Sequence, residues 1–253
     1  MIGPEPMDHQ ARLALAGQMV ERARAGHADE LLAAGVYGSM ARGTDGPYSD
    51  IEILCVLRTP DAEFTYEWTH GPWKAEVDFL GRDTALGKAA EVDGDWPLTH
   101  GSFVHLLALH DPKGFLPELA KTALSQPDAR FDRAMRGLIV GELYEWIGKL
   151  RNARHRGHAA PLPEIAVDMA KRSAFLLGLA NRHLYTTGSR VLEESLDLPG
   201  RPAGHDALCR MAMEGRLADA TALALACEHL WAGLVEWAAA RGLWIVEERP
   251  IPY

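Results

Sequence analysis

The sequence lacks the segments that would direct it into or across a membrane. No apolar run approaches the roughly 18 residues of a membrane-spanning helix, and residues 1–10 contain no signal-peptide pattern. Cysteine is also scarce. The three present, Cys55, Cys209 and Cys227, fit neither a zinc spacing nor a disulfide framework. We therefore expect a cytoplasmic protein without a membrane partner, whose cysteines are thiols with no functional role.

Positive charge is in short supply as well. The chain has 26 Lys and Arg against 35 Asp and Glu, which gives a formal net charge of −9. A general nucleic-acid binder needs a basic face to neutralise phosphates, so we expect no nucleic-acid partner. The acidic excess would attract a cationic ligand, but charge alone favours the simpler explanation, an aid to solubility.

The spacing of apolar residues divides the chain into an early part with strands and a late part with helices. The early part contains predicted helices at 8–26 and near 82–92, strands at 31–37, 51–57 and 73–80, and a segment at 103–109 that fits either. The late part contains predicted helices at 128–156, 163–185, 203–214 and 217–241. We therefore predict an α+β domain at 1–125 and a helical domain at 126–253.

Carboxylates occupy one face of two predicted strands. Asp50 and Glu52 lie two residues apart, so they project to the same side, while Ile51 faces the other way. Glu76, and potentially Asp78, lie on a single face of the strand at 73–80. Like charges held close together repel each other unless a cation lies between them. Oxygen ligands of this kind suit Mg²⁺, and three acids can hold two ions for displacement at phosphorus.

A Gly-Ser pair precedes these acids, at the end of the first predicted strand. Gly38 allows a close backbone approach, and the amides and the Ser39 hydroxyl would bind phosphate oxygens. Arg42 follows one helical turn later and would add charge-assisted hydrogen bonds. Alone, a Gly-Ser pair is usually a turn, and an acidic pair in a strand is often an exposed face. Their combination at this spacing predicts a metal–nucleotide site.

The arrangement resembles the nucleotidyltransferase superfamily, which includes DNA polymerase β. The fuller text is similar to the kanamycin nucleotidyltransferases, the aminoglycoside 4′-O-nucleotidyltransferases, along essentially the whole chain. The matching segments are VYGSMARGTDGPYSDIEILCVL, EFTYEWTHGPWKAEVDF, DWPLTHG, LIVGELYEWIGKLRN, LYTT and the terminal RPIPY. The resemblance implies an N-terminal polymerase-β-like nucleotidyltransferase domain with a mixed sheet, followed by a C-terminal helical bundle.

The resemblance also implies an activity and a set of site residues. AMP would pass from ATP, or another nucleoside triphosphate, to the 4′-hydroxyl of kanamycin-type antibiotics such as tobramycin and amikacin, giving antibiotic resistance. Two Mg²⁺ ions would assist, and homodimers would share their active sites. Its implied metal ligands are Asp50, Glu52 and Glu76. Its implied nucleotide-binding residues are Gly38, Ser39, Arg42, Ser49 and Lys149. Its implied substrate-binding residues are Glu52, Glu67, Lys74, Glu76, Asp95, Glu142 and Glu145.

One predicted helix contributes the remaining functional residues. Glu142, Glu145 and Lys149 fall on one side of it, and spacing alone favours a surface ion pair between Glu145 and Lys149. The resemblance instead makes Glu145 the general base and Lys149 a phosphate ligand, facing the acids of a partner chain. Family members commonly carry an acid where this chain has Gly141, which affects how a drug would be bound.

Two other functions fit parts of the same pattern. A superfamily enzyme that modifies a protein or RNA end would share the metal–nucleotide site, although the lack of a basic patch argues against RNA. A nucleotide-binding module without activity would share the fold, but such proteins usually lose an acid of the metal set. The three acids of that set, Asp50, Glu52 and Glu76, and the base Glu145 are all present here.

Overall fold

The chain folds into two compact units. The structure, a computed structural model, describes residues 3–71 and 73–243. The first unit comprises Met1–Glu91 with Thr99–Gln126, and the second Val92–Leu98 with Pro127–Tyr253. The sequence prediction placed 92–98 in the first domain. That segment joins the helical unit because Trp96 is fully buried there, with its ring 4.9 Å from that of Phe131. The RPIPY segment lies outside the described residues.

A five-stranded mixed sheet forms the centre of the first unit. Its strands are β1 (Leu31–Val36), β2 (Ile51–Leu57), β3 (Glu63–His70), β4 (Trp73–Gly81) and β5 (Leu107–His110). The spatial order is β3-β4-β2-β1-β5. Strands β2 and β4 are parallel, whereas β1 with β2, β1 with β5 and β3 with β4 are antiparallel. The mixed sheet agrees with the predicted fold class.

Helices of the first unit cover the two faces of this sheet. They are α1 (His9–His27), α2 (Gly38–Arg42), α3 (Arg82–Ala90), α5 (Gly101–Val104) and α6 (Phe115–Leu124), while α4 (Trp96–Thr99) lies at the boundary between the units. Residues of α1 pack with Ile51, Ile53 and Val77 on one face. Residues of α3 and α6 pack with Leu54 and Val56 on the other. The sheet is therefore sandwiched between helices.

Strict alternation in β2 and β4 separates the apolar side chains from the acids. Val77 and Phe79 are buried on the α1 face, so Glu76 and Asp78 project from the opposite face. Further along that opposite face, Leu80 is buried with the residues of α3 and α6. One face of the sheet is thus apolar where α3 and α6 cover it and acidic at the beginning of its two parallel strands.

The second unit is a helical bundle. Its main helices are α7 (Asp128–Leu138), α8 (Tyr144–His155), α9 (Leu162–Asn181), α10 (Val191–Ser195), α11 (His205–Met213) and α12 (Ala220–Ala240). A single π-helical turn, Ile139–Leu143, joins α7 to α8. Helix α9 is the most deeply buried, and it packs against α7, α8, α10, α11 and α12. No helix within 3–71 and 73–243 is long and apolar enough to cross a membrane.

Several elements differ from the sequence prediction. Strand β3 was not predicted, although Phe64, Tyr66 and Trp68 alternate with polar residues; it lies at the sheet edge with all of its side chains exposed. Helices α6 and α10 were also missed. The segment at 103–109, which fitted either type, divides between α5 and β5. The helix predicted at 128–156 is interrupted by the π-helical turn at Ile139–Leu143.

The three cysteines are all buried and unbonded to one another. Burial is the main reason that the pKa of each thiol rises to about 12. They are therefore unreactive thiols at neutral pH, as the composition suggests.

Candidate active site

The strand pairing brings the predicted carboxylates of the first unit together. Glu52 on β2 lies directly opposite Glu76 on β4, and Glu67 on β3 lies opposite Glu76 from the other side. Asp50 immediately precedes β2, and Lys74 begins the acidic face of β4. Five predicted site residues therefore occupy one acidic face of three adjacent strands.

Burial and mutual repulsion shape the charges on this acidic face. Burial, followed by the negative charges of Asp50 and Glu76, raises the pKa of Glu52 to about 7. Burial and Asp78 similarly raise the pKa of Glu76. A single lysine offsets part of this charge: the Nζ atom of Lys74 lies 2.7 Å from Glu67 Oε1 and 3.9 Å from Asp50 Oδ2. The face retains an excess of negative charge that a bound cation would stabilise.

Asp78 is occupied by hydrogen bonds from neighbouring side chains. The Tyr37 hydroxyl donates to its Oδ2 atom over 2.9 Å, and the Thr65 hydroxyl donates to its Oδ1 atom over 2.5 Å. Burial and Asp78 together hold the pKa of Tyr37 far above its usual value, so the phenol remains a donor. Of the two acids that the sequence offered on β4, Glu76 is the one whose carboxylate is not engaged in this way by Tyr37 and Thr65.

The acidic face has the right ligand types for Mg²⁺ without forming a closed cage. Within the described ranges 3–71 and 73–243, no three His, Cys, Asp or Glu side chains are arranged to hold a metal ion. Mg²⁺ usually takes only one or two protein carboxylates and completes its coordination with water and substrate phosphates. Asp50, Glu52 and Glu76 fit that role because they are hard oxygen donors whose charges repel one another.

Gly38 is held against the acidic face. Its φ is +67°, and a Cβ at this position would lie 1.9 Å from Glu52 Oε2. Only glycine combines that backbone conformation with so close an approach. Helix α2 begins at Gly38 and includes Ser39 and Arg42, and first-turn amides have no acceptor within their own helix. The structure therefore places the Gly-Ser amides beside the carboxylate of Glu52.

Arg42 completes α2 and faces another part of the first unit. A Cβ on Gly101 would lie 2.7 Å from Arg42 Nη2, so the guanidinium packs against this stretch of backbone. Burial, followed by the positive charge of Arg42, lowers the pKa of His105 nearby. The last turn of α2 is thus anchored against α5.

A buried arginine shapes the connection from α2 to Asp50. Arg12 on α1 pairs with Asp45, and both side chains are almost completely buried. Its Nη2 atom also donates to the carbonyls of Met7 and Pro47, over 3.0 and 2.8 Å. Beyond them, the Gly46 amide donates to the Ser49 hydroxyl over 3.0 Å. Ser49, predicted to bind nucleotide, therefore also closes the turn that leads into Asp50.

The predicted base and its lysine lie in the second unit. Lys149 Nζ is 2.8 Å from Glu145 Oε1 on α8, and both side chains are largely exposed, at 47% and 62%. The lysine also lies 4.1 Å from the centre of the Trp146 ring. Within one chain, this is the surface ion pair that helical spacing favours.

Asp95 and Glu142, predicted to bind substrate, are joined by an arginine. Arg172 on α9 places Nη1 2.9 Å from Asp95 Oδ1 and Nε 2.7 Å from Glu142 Oε2. Burial raises the pKa of Glu142, while Arg172 opposes that shift. Gly141, beside it in the π-helical turn, is exposed, with no atom within 4 Å of the position of a Cβ.

Three polar residues of these clusters were missed by the sequence analysis. Tyr37 and Thr65 support Asp78, and Arg172 binds two of the predicted substrate acids. Tyr37 and Thr65 lie within segments already noted for their resemblance, but nothing in their spacing indicated a polar partner. Arg172 offered a signal, because it is a charged residue within the largely apolar helix α9.

Comparisons with known proteins agree with this architecture. A nucleotidyltransferase-like protein from Exiguobacterium sibiricum has a similar fold, with a TM-score of 0.55 and 14% identity, over 95% of this chain and 82% of that one. A family model described as the KNTase C-terminal domain matches residues 113–243. Two curated proteins, from a Bacillus species and from Staphylococcus aureus, are named aminoglycoside nucleotidyltransferase (4′). Each is 41% identical over the full length of both chains.

A Gly-Ser pair at the start of a short helix, followed by an acidic pair at the start of the next strand of a mixed sheet, is typical of the nucleotidyltransferase class, whose fold the structural neighbour shares. The end-to-end relatives and the family match show that the chain belongs to the kanamycin nucleotidyltransferase (KNTase) family. It is a nucleotidyltransferase enzyme, and the sequence prediction of that family and class is confirmed.

Proposed function

We propose that the enzyme transfers AMP from ATP to the 4′-hydroxyl of kanamycin-type aminoglycosides in the cytoplasm and thereby gives antibiotic resistance. The observation that carries this proposal is the 41% identity, without gaps in coverage at either end, to two proteins named for aminoglycoside 4′ nucleotidyl transfer. The acidic face of the first unit supports it, because the acceptor is a polycation and the donor is a metal-bound triphosphate.

The first unit would bind the nucleotide. The amides at Gly38 and the hydroxyls of Ser39 and Ser49 would donate to the phosphates, with Arg42 adding charge. Mg²⁺ ions, two by analogy with the family, would be held by Asp50, Glu52 and Glu76, and would neutralise charge on the transferring phosphoryl group. Gly38 allows the triphosphate to approach these carboxylates, because no side chain lies between them.

Glu145 would remove the proton from the 4′-hydroxyl. As that oxygen forms its bond to the α-phosphorus, the bond to the pyrophosphate oxygen breaks, and the proton remains on the Glu145 carboxylate. Pyrophosphate leaves with its charge balanced by Lys149 and Arg42. A glutamate is a weak base for an alcohol, so much of the rate must come from orientation and from stabilisation of developing charge.

The acceptor would be bound through its ammonium groups. Glu67 and Glu76 offer carboxylates on the acidic face, next to Lys74, which pairs with Glu67 at present. Asp95 and Glu142 offer a second pair of carboxylates in the helical unit. We further propose that two chains form a homodimer in which Glu145 and Lys149 of one chain act on the nucleotide held by its partner.

Mass spectrometry tests the proposal directly. Tobramycin and amikacin are incubated with the protein, Mg²⁺ and ATP, beside a Glu145→Gln control. We expect each drug to gain one AMP, with the gain lost in the control because no carboxylate remains to accept the proton. Fragmentation of the product locates the modified hydroxyl. Folded wild-type protein that modifies no aminoglycoside would refute the proposal and direct attention to a protein or RNA acceptor.

A further inference from the structure

Arg172 stands out as a cation placed within a group of acids. Its guanidinium is shared between two carboxylates on separate segments, Asp95 before α4 and Glu142 in the π-helical turn, at 2.9 and 2.7 Å. The negative charges of Asp93 and Asp168 also act on Glu142. Glu142 thus lies among three further acids, Asp93, Asp95 and Asp168, and Asp95 shares the Arg172 guanidinium with it.

The arginine is partly accessible rather than sealed in the core. Its side chain is 30% exposed, and those of Asp95 and Glu142 are 53% and 38% exposed. The guanidinium also lies 5.6 Å from the centre of the Phe175 ring on the same helix. A group bound from solvent can therefore reach the same carboxylate oxygens that Arg172 contacts.

We propose that Arg172 is a specificity-determining residue that occupies the Asp95–Glu142 carboxylate pair as an internal cation. Resting on the proposed function, this inference concerns which polycationic acceptors the enzyme prefers. An ammonium group arriving at Asp95 or Glu142 must share or displace the guanidinium, so acceptors that need both carboxylates bind more weakly. Acceptors that bind through other ammonium groups are affected much less.

Gly141 strengthens the effect of this internal cation. An acidic side chain at that position would project from the same turn as Glu142 and would add a carboxylate that Arg172 does not occupy. The chain has a glycine there, with open space around it. Arg172 therefore neutralises part of the charge of the Asp95–Glu142 pair, and position 141 adds no negative charge to replace it.

The test compares Arg172→Ala with the wild type by steady-state kinetics for kanamycin and for tobramycin, which carries an additional ammonium group. We expect the KM for tobramycin to fall about two- to fivefold, the upper part of the range that corresponds to an exposed ion pair. We expect a smaller fall for kanamycin and an unchanged KM for ATP. Because a local negative charge has been uncovered, the KM for tobramycin should also rise more steeply with salt.

Matched variants separate this effect from net charge and from folding. Arg190→Ala removes the same charge from an exposed pair with Glu193 in the same unit, and we expect it to leave both antibiotic KM values unchanged. Arg172→Lys keeps the cation and should behave as the wild type. Arg172→Gln removes only the charge, and it decides the outcome if thermal unfolding shows that Arg172→Ala does not fold.

The outcomes distinguish this inference from the function on which it rests. If the wild type modifies aminoglycosides but Arg172→Ala or Arg172→Gln has an unchanged or higher tobramycin KM, Arg172 is not an internal competitor and the inference is overturned alone. If the wild type modifies no aminoglycoside, the proposed function and the inference fail together. A fall in KM equal to that of Arg190→Ala would assign the effect to net charge and overturn the inference as well.

Discussion

At the scale of single residues, the candidate site depends on close contacts that few side chains permit. Gly38 brings backbone into contact with Glu52, and the hydroxyls of Tyr37 and Thr65 donate hydrogen bonds to Asp78. These contacts distinguish the two acids of β4, because Tyr37 and Thr65 engage Asp78 and not Glu76. A substitution at Gly38 therefore tests steric fit rather than charge.

Gly38→Ala should both destabilise the protein and remove activity. A positive φ costs a non-glycine residue roughly 1–2 kcal/mol, and the added Cβ would displace the Glu52 carboxylate. Gly43→Ala is the matched control, because Gly43 has a φ of +65° but no atom within 4 Å of the Cβ position. Denaturant unfolding and turnover are measured for both. Equal losses of activity would show that the contact with Glu52 is unimportant.

A buried histidine in the helical unit predicts a dependence of stability on pH. His205 is fully buried between the hydroxyls of Ser173 and Ser195, at 2.8 and 3.0 Å. Burial lowers its pKa to about 4, while Asp206 opposes this shift and Arg201 adds to it. The imidazole is therefore neutral in the folded state at pH values where the unfolded chain already binds a proton.

The sign of this effect follows from proton linkage. Between the unfolded pKa near 6.5 and the folded pKa near 4, the unfolded state binds more protons, so the free energy of unfolding falls as pH falls. The slope from this group is about 1.4 kcal/mol per pH unit. His205→Gln should flatten the profile in that window, and His158→Gln, which removes an exposed imidazole, should not. Parallel profiles for wild type and His205→Gln would contradict the assignment.

At the scale of elements, the connection between α2 and β2 is held by a helix distant in sequence. Arg12 on α1 contacts Asp45 and the carbonyls of Met7 and Pro47, while His9 Nδ1 lies 2.6 Å from Asp45 Oδ1. The polar, Gly-rich connection would otherwise have little to hold it. The conformation of this connection determines the position of Asp50 relative to Ser39.

Arg12→Ala should therefore weaken both folding and nucleotide binding. It leaves the buried Asp45 carboxylate with the His9 contact but without Arg12, and losing one partner of a buried pair costs up to about 3–5 kcal/mol. The KM for ATP should rise because the segment from Ser39 to Asp50 loses its anchor. Arg24→Ala removes an exposed pair with Glu21 from the same helix and should change stability by less than about 1 kcal/mol. A similar result for the two variants would refute the anchoring role.

At the scale of the whole molecule, the predicted active site requires two chains, because Glu145 and Lys149 are proposed to act on a partner's nucleotide. Glu145→Gln and Asp50→Asn should each be inactive as homodimers. After co-expression they should recover about a quarter of the wild-type activity, since half of the dimers are mixed and each mixed dimer holds one intact site. The activity of the unfractionated co-expressed protein measures this recovery, and purified mixed dimers should show about half of the wild-type activity.

The matched control combines Glu145→Gln with Lys149→Ala. Both substitutions lie on α8, so neither arrangement of a mixed dimer contains an intact site, and no recovery is expected. Recovery in neither mixture would show that each active site is built from a single chain. Recovery in both would show that Lys149 is dispensable for the reaction.

The sequence alone determined the class of fold, the family and most of the acidic face. Side chains alternate every two residues in β2 and β4, and apolar residues recur every three to four residues in the helices. Both are local properties of the chain, so the sequence shows them wherever one side of an element is buried. The spacing from Gly38 to Glu52 is likewise a local property, and the sequence showed it directly. Strand β3 was missed although Phe64, Tyr66 and Trp68 alternate with polar residues. Its place at the sheet edge, with every side chain exposed, became clear only from its pairing with β4.

Only the tertiary structure decided which charges meet. Sequence spacing could not show that Glu52 lies opposite Glu76 rather than Asp78, because strand register depends on pairing between distant segments. It also could not show that Tyr37 and Thr65 engage Asp78, or that Arg172 joins Asp95 to Glu142. Such contacts join residues far apart in the chain, and their energies depend on burial and distance, which exist only once the chain has folded.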